Sequence, residues 1–485
     1  MAVPLETNLP AFANDISDVA RMMLPGGSDA ALTHTHAEED GFWVERCGYG
    51  GRTLEWRVRP PEPDGMEREA FALLRKRLMK RAAKQCCYYL LRNATGHAPP
   101  WGALTGIRPT RLYAERLADG DPDPERTLVR RYDVRPDKAA LLGEVARAQS
   151  PYLSAPPDAV DIYVGIPYCV TRCAYCSFKT ETVPKDPRGT DAYVDALVFE
   201  IQQTRRMMDE VGLSPQALYV GGGTPTALDA PRLDRTLAAL DEAFCREPGV
   251  MEYTVEAGRP DTLDDARLAA LRGHPVTRVS INPQTMNDST LELIGRRHTA
   301  AQTVEAFARA RAVGFNNINM DLIAALPGET TEDFARTLEA ARALGPESLT
   351  AHTLALKRAS RLSGDASYVA VDQATAEAMV TMGMDAARSM GMSPYYLYRQ
   401  KQTVGDMENV GYAKPGRLCV YNIDMMEETV SILALGAGGI SKRVRRDPRE
   451  GLRIERAANM MESRRYIERI GEMVGRKRAL WGISP

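Results

Sequence analysis

Residues 160–178 read VDIYVGIPYCVTRCAYCSF. The β-branched apolar run from Val160 to Ile166 has the composition of a strand buried on both faces, and the Gly165-Ile166-Pro167 break marks its end. Cys169, Cys173 and Cys176 follow within eight residues. A structural zinc site takes four protein ligands, and this loop offers three thiols and no histidine. Three thiolates suit a [4Fe–4S] cluster in which one iron is left open for a ligand that is not protein. The other five cysteines, Cys47, Cys86, Cys87, Cys245 and Cys419, are scattered without a repeating interval, which argues against a secreted disulfide framework. Cys86 and Cys87, adjacent in a predicted helix, read as small buried residues.

Downstream of the loop the chain alternates short apolar strands with amphipathic helices. The strand candidates are VDIYVGI, ALYVGG, MEYTVEA, VTRVSINP, INMDLIAAL and LTAHTLAL, rich in β-branched residues and ending in Gly, Pro or polar residues. Between them Leu233, Leu237, Leu240 and Phe244 share one helix face. Six βα units in a row predict an α/β fold with a parallel sheet and right-handed crossovers, curled into a full or partial (β/α)6 TIM-like barrel. Function in such barrels sits at the C-terminal strand ends, and the cysteine loop falls there.

Upstream, FWVERC and TLEWRVRP flank a turn at Gly50 and Gly51, a basic helix is expected from Glu67 to Arg92, and Pro-dotted helices run on to Gln149. The proline-marked stretch SPYLSAPPDA follows. The expected division is an N-terminal α+β accessory domain over 1–150, the barrel over 158–360 and a mostly helical C-terminal extension over 361–485, whose basic tail reads as helix-forming.

Composition narrows the partners. Among 485 residues, 62 Lys and Arg stand against 64 Asp and Glu, a net charge of −2 that calls for neither nucleic acid nor an anionic membrane. The N-terminus has no basic start followed by an apolar stretch, and no run approaches a membrane span. A cytoplasmic protein is expected.

The C-x3-C-x2-C loop after the first strand of such a barrel resembles that of radical S-adenosylmethionine enzymes. The resemblance implies Cys169, Cys173 and Cys176 as cluster ligands, with S-adenosylmethionine on the open iron as the source of a 5′-deoxyadenosyl radical. YVGGGTPT, residues 219–226, resembles the family's Gly-rich motif for the methionine amino group, implicating Gly222, Gly223 and Thr224. Further cofactor contacts implied are Tyr163, Tyr175 beside the adenine, Glu256 at the third strand end, Gln284 and Asp321 at the ribose hydroxyls, and Arg296 at the carboxylate. Arg297 next to it leaves that doublet open.

The strand motifs in order, with YNIDMMEETVSILALGAGGIS, resemble the oxygen-independent coproporphyrinogen III oxidase family from about Ile162 to Lys442. PWGALTGIRPTRL and PYYLYRQKQTVGDMENVGYAKPG resemble its HemZ-type coproporphyrinogen dehydrogenases. The resemblance implies oxidative decarboxylation of two propionates of coproporphyrinogen III to vinyls in haem synthesis, with an electron donor such as flavodoxin or ferredoxin. Arg108, Arg111, Arg399 and Lys401 are candidate propionate ligands, since Arg pairs carboxylates bidentately. Trp101, Tyr395, Tyr396, Tyr398 and Tyr412 are candidates to pack on the macrocycle. Gly165 and Phe178 stand where the best-known members carry His and a further Cys, a departure shared with the haem-chaperone branch. A haem chaperone without decarboxylase activity is therefore the alternative, with His298 and His352 as candidate haem ligands.

Overall fold

The structure, a computed structural model, describes residues 3–246, 249–357, 360–364, 371–400, 403–447 and 451–484. It comprises two compact units, Met1–Gly143 with Arg445–Arg453, and Glu144–Val444 with Ile454–Pro485.

In the first unit a four-stranded sheet runs in the order β1 (Leu5–Thr7), β2 (Leu32–Glu39), β3 (Phe42–Tyr49), β4 (Arg52–Val58). The predicted Gly50-Gly51 turn joins β3 to β4, both glycines having positive φ. Helices α1 (Ala13–Met23) and α2 (Arg68–Thr95) contribute Ile16, Val19, Met23, Cys86, Cys87, Leu90 and Leu91 to one core with Leu32 and Cys47. Cys86 and Cys87 are fully buried, as expected of small apolar residues. Helices α3 (Pro109–Ala118), α4 (Pro124–Tyr132) and α5 (Pro136–Gln149) follow, the first unit ending at Gly143 inside α5.

The second unit is built on β5 (Ala159–Ile166), β8 (Ser214–Gly222), β9 (Glu252–Val255), β10 (Arg278–Ser280), β11 (Ile318–Ala324) and β12 (Ser348–Thr353), with a short parallel pair β6 (Tyr168–Cys169) and β7 (Glu181–Thr182) after β5. These six predicted strands are consecutive neighbours and all pair in parallel. The intervening helices are α6 (Pro187–Val211), α7 (Ala230–Leu240), α8 (Asp265–Arg272), α9 (Asp288–Leu293), α10 (Ala300–Ala312) and α11 (Thr331–Leu344). Leu233, Leu237, Leu240 and Phe244 are all buried, the last on a π-turn that continues α7. Capping boxes at Thr299 and Thr330 start α10 and α11, fixing where each strand-end loop stops.

The C-terminal part departs from the expectation of a mostly helical extension. Beside α12 (Gln373–Ser389), α13 (Val420–Glu427), α14 (Ser463–Glu468) and α15 (Ile470–Leu480), it contributes β13 (Ser393–Arg399), β14 (Glu408–Ala413), β15 (Ser431–Gly436), β16 (Ile440–Asp447) and β17 (Gly451–Ala458) to an eleven-stranded sheet. The reason is the two open edges of a six-stranded half-barrel, whose backbone groups need partners. β14 pairs antiparallel with β12, and β15 pairs parallel with β5 from Ser431↔Val160 to Gly436↔Gly165. The tail read as helix-forming is strand in its first part, GLRIERAA, where Leu452, Arg453, Ile454 and Glu455 alternate apolar and charged with the period of a strand. No described helix is long and apolar enough to cross a membrane.

Candidate active site

The C-terminal strand ends of the second unit surround a cavity of about 350 Å³. Cys169, Cys173, Cys176, Tyr175, Gly222, Gly223, Thr224, Glu256, Gln284, Arg296 and Asp321, expected from sequence at separate strand ends, all line it. Parallel strands in consecutive order bring their C-terminal ends together, so motifs tens of residues apart become one wall.

The cysteine loop is tied down from several sides. Ala174 N donates to Ile294 O at 2.9 Å, Thr171 Oγ1 to Gly295 O at 3.3 Å, Leu362 N to Ala174 O at 3.1 Å and Arg361 Nη2 to Arg172 O at 2.6 Å. Thr224 Oγ1 lies 3.6 Å from Cys169 Sγ. Arg259, which sequence reasoning missed, is 3% exposed; it donates through Nη1 to Thr171 Oγ1 at 2.7 Å while its Nε and Nη2 grip Asp261 at 3.0 and 2.9 Å. Burial raises the Cys169 and Cys176 thiols above their ordinary range, so binding as thiolates favours metal that stabilises the charge.

The glycines are spatial requirements. A Cβ on Gly223 would stand 2.4 Å from Tyr168 O and 3.1 Å from Cys169 Sγ, and Gly222 has φ +105°. Glu256, half-buried just past the end of β9, accepts from the Tyr219 hydroxyl; desolvation pushes its carboxyl up to about 7, against the lowering effect of that hydrogen bond. Burial likewise acts upward on Asp321, but the nearby His352 and hydrogen bonds, among them Asn319 Nδ2 at 2.7 Å, hold it below its ordinary value. Gln284 adopts φ +71°, uncommon for a non-glycine residue, pinned by hydrogen bonds to Asp321 O at 3.0 Å and from Ile323 N at 2.9 Å, and its side-chain Oε1 is buried without a partner. Such strain held by its surroundings marks positions that serve a ligand.

Of the arginine doublet, Arg296 lines the cavity. Its Nη1 donates to Asn282 O at 2.6 Å and its Nη2 to Tyr175 Oη at 3.1 Å, Nε remains without a partner, and Arg297 is exposed.

Other expectations meet a different structure. Tyr163 does not line the cavity; its ring stacks on Tyr219 and Tyr421, 6.4 and 6.1 Å between centroids. Arg399 is not part of the wall either. Alternation along β13 turns Tyr396 and Tyr398 to the cavity and Arg399 to the other face, where Nη2 donates to Asp406 O at 3.2 Å and burial lowers the guanidinium to about 10. Lys401 lies outside the described residues. Arg108, Arg111 and Trp101 belong to the first unit, Arg111 pairing with Glu115 at 3.7 Å. His352 lines the cavity, whereas His298 is buried outside its lining. Residues the sequence reading passed over complete the wall, among them Arg259, Arg278, Asn282 and Asn319. Their signal was periodic: Arg278 and Ser280 on β10 and Asn282 just past it alternate toward one side.

The donor set fits an iron–sulfur cluster with a coordinated cofactor. Among the described residues no three His, Cys, Asp or Glu side chains converge to hold a single metal ion. Three thiols on one loop, each able to bond a different iron of a cluster, need no common ligand point. The orphaned Gln284 Oε1 and Arg296 Nε, and the side-chain-free approach at Gly223, leave polar groups and space for a ligand beside them.

Residues 163–341 match the family model of the Radical SAM superfamily, so the fold and site define a radical S-adenosylmethionine protein. The oxygen-independent coproporphyrinogen-III oxidase-like protein HemZ of Bacillus subtilis is 37% identical over 413 residues, 84% of this chain and 81% of that one. The oxygen-independent coproporphyrinogen III oxidase of Salmonella typhimurium is 27% identical over 72% of this chain and 71% of its own. The heme chaperone HemW of Lactococcus lactis is 38% identical over 35% of this chain and 42% of its own. In fold, the chain resembles the coproporphyrinogen III oxidase HemN from Escherichia coli, with TM-score 0.51 and 22% identity over 68% of this chain and 73% of that one. The chain belongs to the HemZ/HemN-like family of oxygen-independent coproporphyrinogen III oxidases within the radical SAM superfamily, whose cofactors are a [4Fe–4S] cluster and S-adenosylmethionine.

Proposed function

We propose that this chain is an oxygen-independent coproporphyrinogen III dehydrogenase, which converts two propionate side chains to vinyls and yields protoporphyrinogen IX for haem synthesis. The observation that carries the reading is the extent of similarity to the HemZ protein, 84% of this chain and 81% of the relative, against 35% and 42% for the HemW chaperone. Cys169, Cys173 and Cys176 hold the cluster; Gly222, Gly223, Thr224, Glu256, Gln284, Arg296, Asp321 and Tyr175 hold S-adenosylmethionine. Together the two groups supply a carbon-centred oxidant strong enough to take hydrogen from an unactivated carbon. The protein orients cofactor and substrate and keeps water away, which is the work of the enclosed wall. Residues 361–485 supply the family-specific part of that wall through Tyr396, Tyr398, Gln400, Asn409 and Asn422. A low-potential one-electron donor of the flavodoxin or ferredoxin class reduces the cluster.

A second reading, a haem chaperone that keeps the cluster without decarboxylating, draws support from the 38% identity to HemW and from Gly165 and Phe178 in the cysteine loop. Anaerobic turnover with S-adenosylmethionine, a reductant and coproporphyrinogen III, followed by mass spectrometry, separates them. Vinyl products accompanied by 5′-deoxyadenosine support the dehydrogenase; intact porphyrinogen with haem bound supports the chaperone.

A further inference from the structure

We propose that Arg278 is the receptor for a ligand carboxylate within the barrel cavity, and that under the reading above this carboxylate is a propionate of the tetrapyrrole. The identity of the ligand rests on that reading; the chemistry rests on the side chain.

Arg278 is the first residue of β10 and lines the cavity on the same side of the strand as Ser280 and Asn282. It is 1% exposed. Its guanidinium makes one hydrogen bond among the described residues, from Nη2 to Ser348 Oγ at 3.1 Å, and its Nε is buried without a partner. No carboxylate of the described residues forms an ion pair with it. The nearby ones are otherwise engaged: Glu252 accepts from Cys419 Sγ at 3.0 Å, Thr254 Oγ1 at 2.7 Å and Val420 N at 2.6 Å, and Glu256 accepts from Tyr219.

A guanidinium removed from water is costly unless an anion offsets the loss, and two other buried cations of this unit have such a partner. Lys477 pairs with Glu200, and Arg259 is gripped by Asp261. Among the described residues of the cavity wall, the buried guanidinia of Arg278 and Arg296 form no ion pair with a carboxylate. Arg296 stands beside the cysteine loop through Tyr175 and is matched to the methionine carboxylate; Arg278 stands at the other end of the strand whose continuation carries Asn282 and Gln284. The planar fork of an arginine suits a carboxylate held by two parallel hydrogen bonds. Asn422, Ser280 and Tyr396 share the lining and offer further polar groups to the same ligand end. The propionate site anticipated at Arg399 is thus replaced by a cation on the barrel's own strand.

The test uses the reconstituted full chain, with coproporphyrin III as a stable probe of the substrate and S-adenosylmethionine titrated separately, in wild type and in Arg278→Gln, Arg278→Met and Arg278→Lys. Each ligand-free protein is also melted. Coproporphyrin III binding is expected to weaken roughly tenfold to hundredfold in the Gln and Met variants and to be partly restored by Lys, with S-adenosylmethionine binding unchanged. Ligand-free Arg278→Met should melt no lower than wild type, since an apolar chain replaces a buried charge that has no ion-pair partner. Weakening confined to S-adenosylmethionine would support the carboxylate receptor and give it the cofactor's carboxylate instead. Unchanged binding of both ligands, or an Arg278→Met protein that melts well below wild type, overturns the proposal. A wild type that binds no coproporphyrin III contradicts the dehydrogenase reading, and Arg278 is then decided by the cofactor titration and the melts.

Discussion

Arg259 Nη1 lies 4.0 Å from Cys173 Sγ while the same guanidinium is clamped to Asp261. A cation fixed against a cluster thiolate stabilises the more negative, reduced form of the cluster, and its bond to Thr171 holds the loop. Arg259→Gln should therefore bind iron with lower occupancy, reduce at a more negative potential and lose roughly tenfold to hundredfold in turnover, with Arg259→Lys between. Iron analysis and a reductive titration followed by electron paramagnetic resonance check this. An unchanged potential at full iron content would show that the arginine is merely structural.

Gly223→Ala should abolish cluster or cofactor binding, because its Cβ would stand 2.4 Å from a backbone oxygen, closer than packed atoms come. Gly106→Ala, where a Cβ meets nothing within 4 Å, is the control and should bind as wild type. Equilibrium binding of S-adenosylmethionine to both reconstituted proteins makes the comparison.

Much of this site was legible because parallel strands in sequence order need no long-range knowledge. Once VDIYVGI and its five successors are strands, Cys169, Gly223, Glu256, Gln284 and Asp321 must converge. What was not legible depended on pairing across the chain. β15 joins β5 across about 270 residues of sequence, and nothing local in SILALG names its neighbour. Arg399 was misjudged because one position along β13 reverses the face. Arg278 was overlooked because a charge opening a strand usually points to solvent.

Glu256 carries a pH dependence. Its carboxyl, raised by burial from 4.5 to about 7, is held protonated in the free protein where the unfolded chain would ionise it. Between those values the folded state binds more protons, so ligand-free stability falls as pH rises from about 4.5 to about 7 and levels above. Binding of the cationic ammonium of S-adenosylmethionine prefers the ionised carboxylate, so affinity should rise as pH passes through about 7. Glu256→Gln should bind weakly with a flat profile. Tyr219→Phe removes a hydrogen bond that favours ionisation and should move the midpoint upward. Titrations across this range, with melts of the ligand-free protein, read both arms.

The C-terminal tail is latched to α6 and to β7, the short strand that follows the cysteine loop. Buried Lys477 pairs with Glu200, whose carboxylate also accepts from Tyr466 at 2.6 Å and Gly436 N at 2.7 Å, while Ser463 bonds Glu181 at 2.7 and 2.5 Å beside the loop. Lys477→Ala leaves an uncompensated buried carboxylate and should cost about 3–5 kcal/mol. The double variant Lys477→Met with Glu200→Gln should recover part of it. Chemical denaturation gives the energies, and cluster retention during the same titration should fall with them.

The account stands on anaerobic turnover of the reconstituted chain with S-adenosylmethionine, a one-electron reductant and coproporphyrinogen III. Vinyl-bearing products formed together with 5′-deoxyadenosine, and lost in Cys173→Ala, are the predicted result. Porphyrinogen recovered intact from a protein with a full cluster and bound S-adenosylmethionine would contradict it.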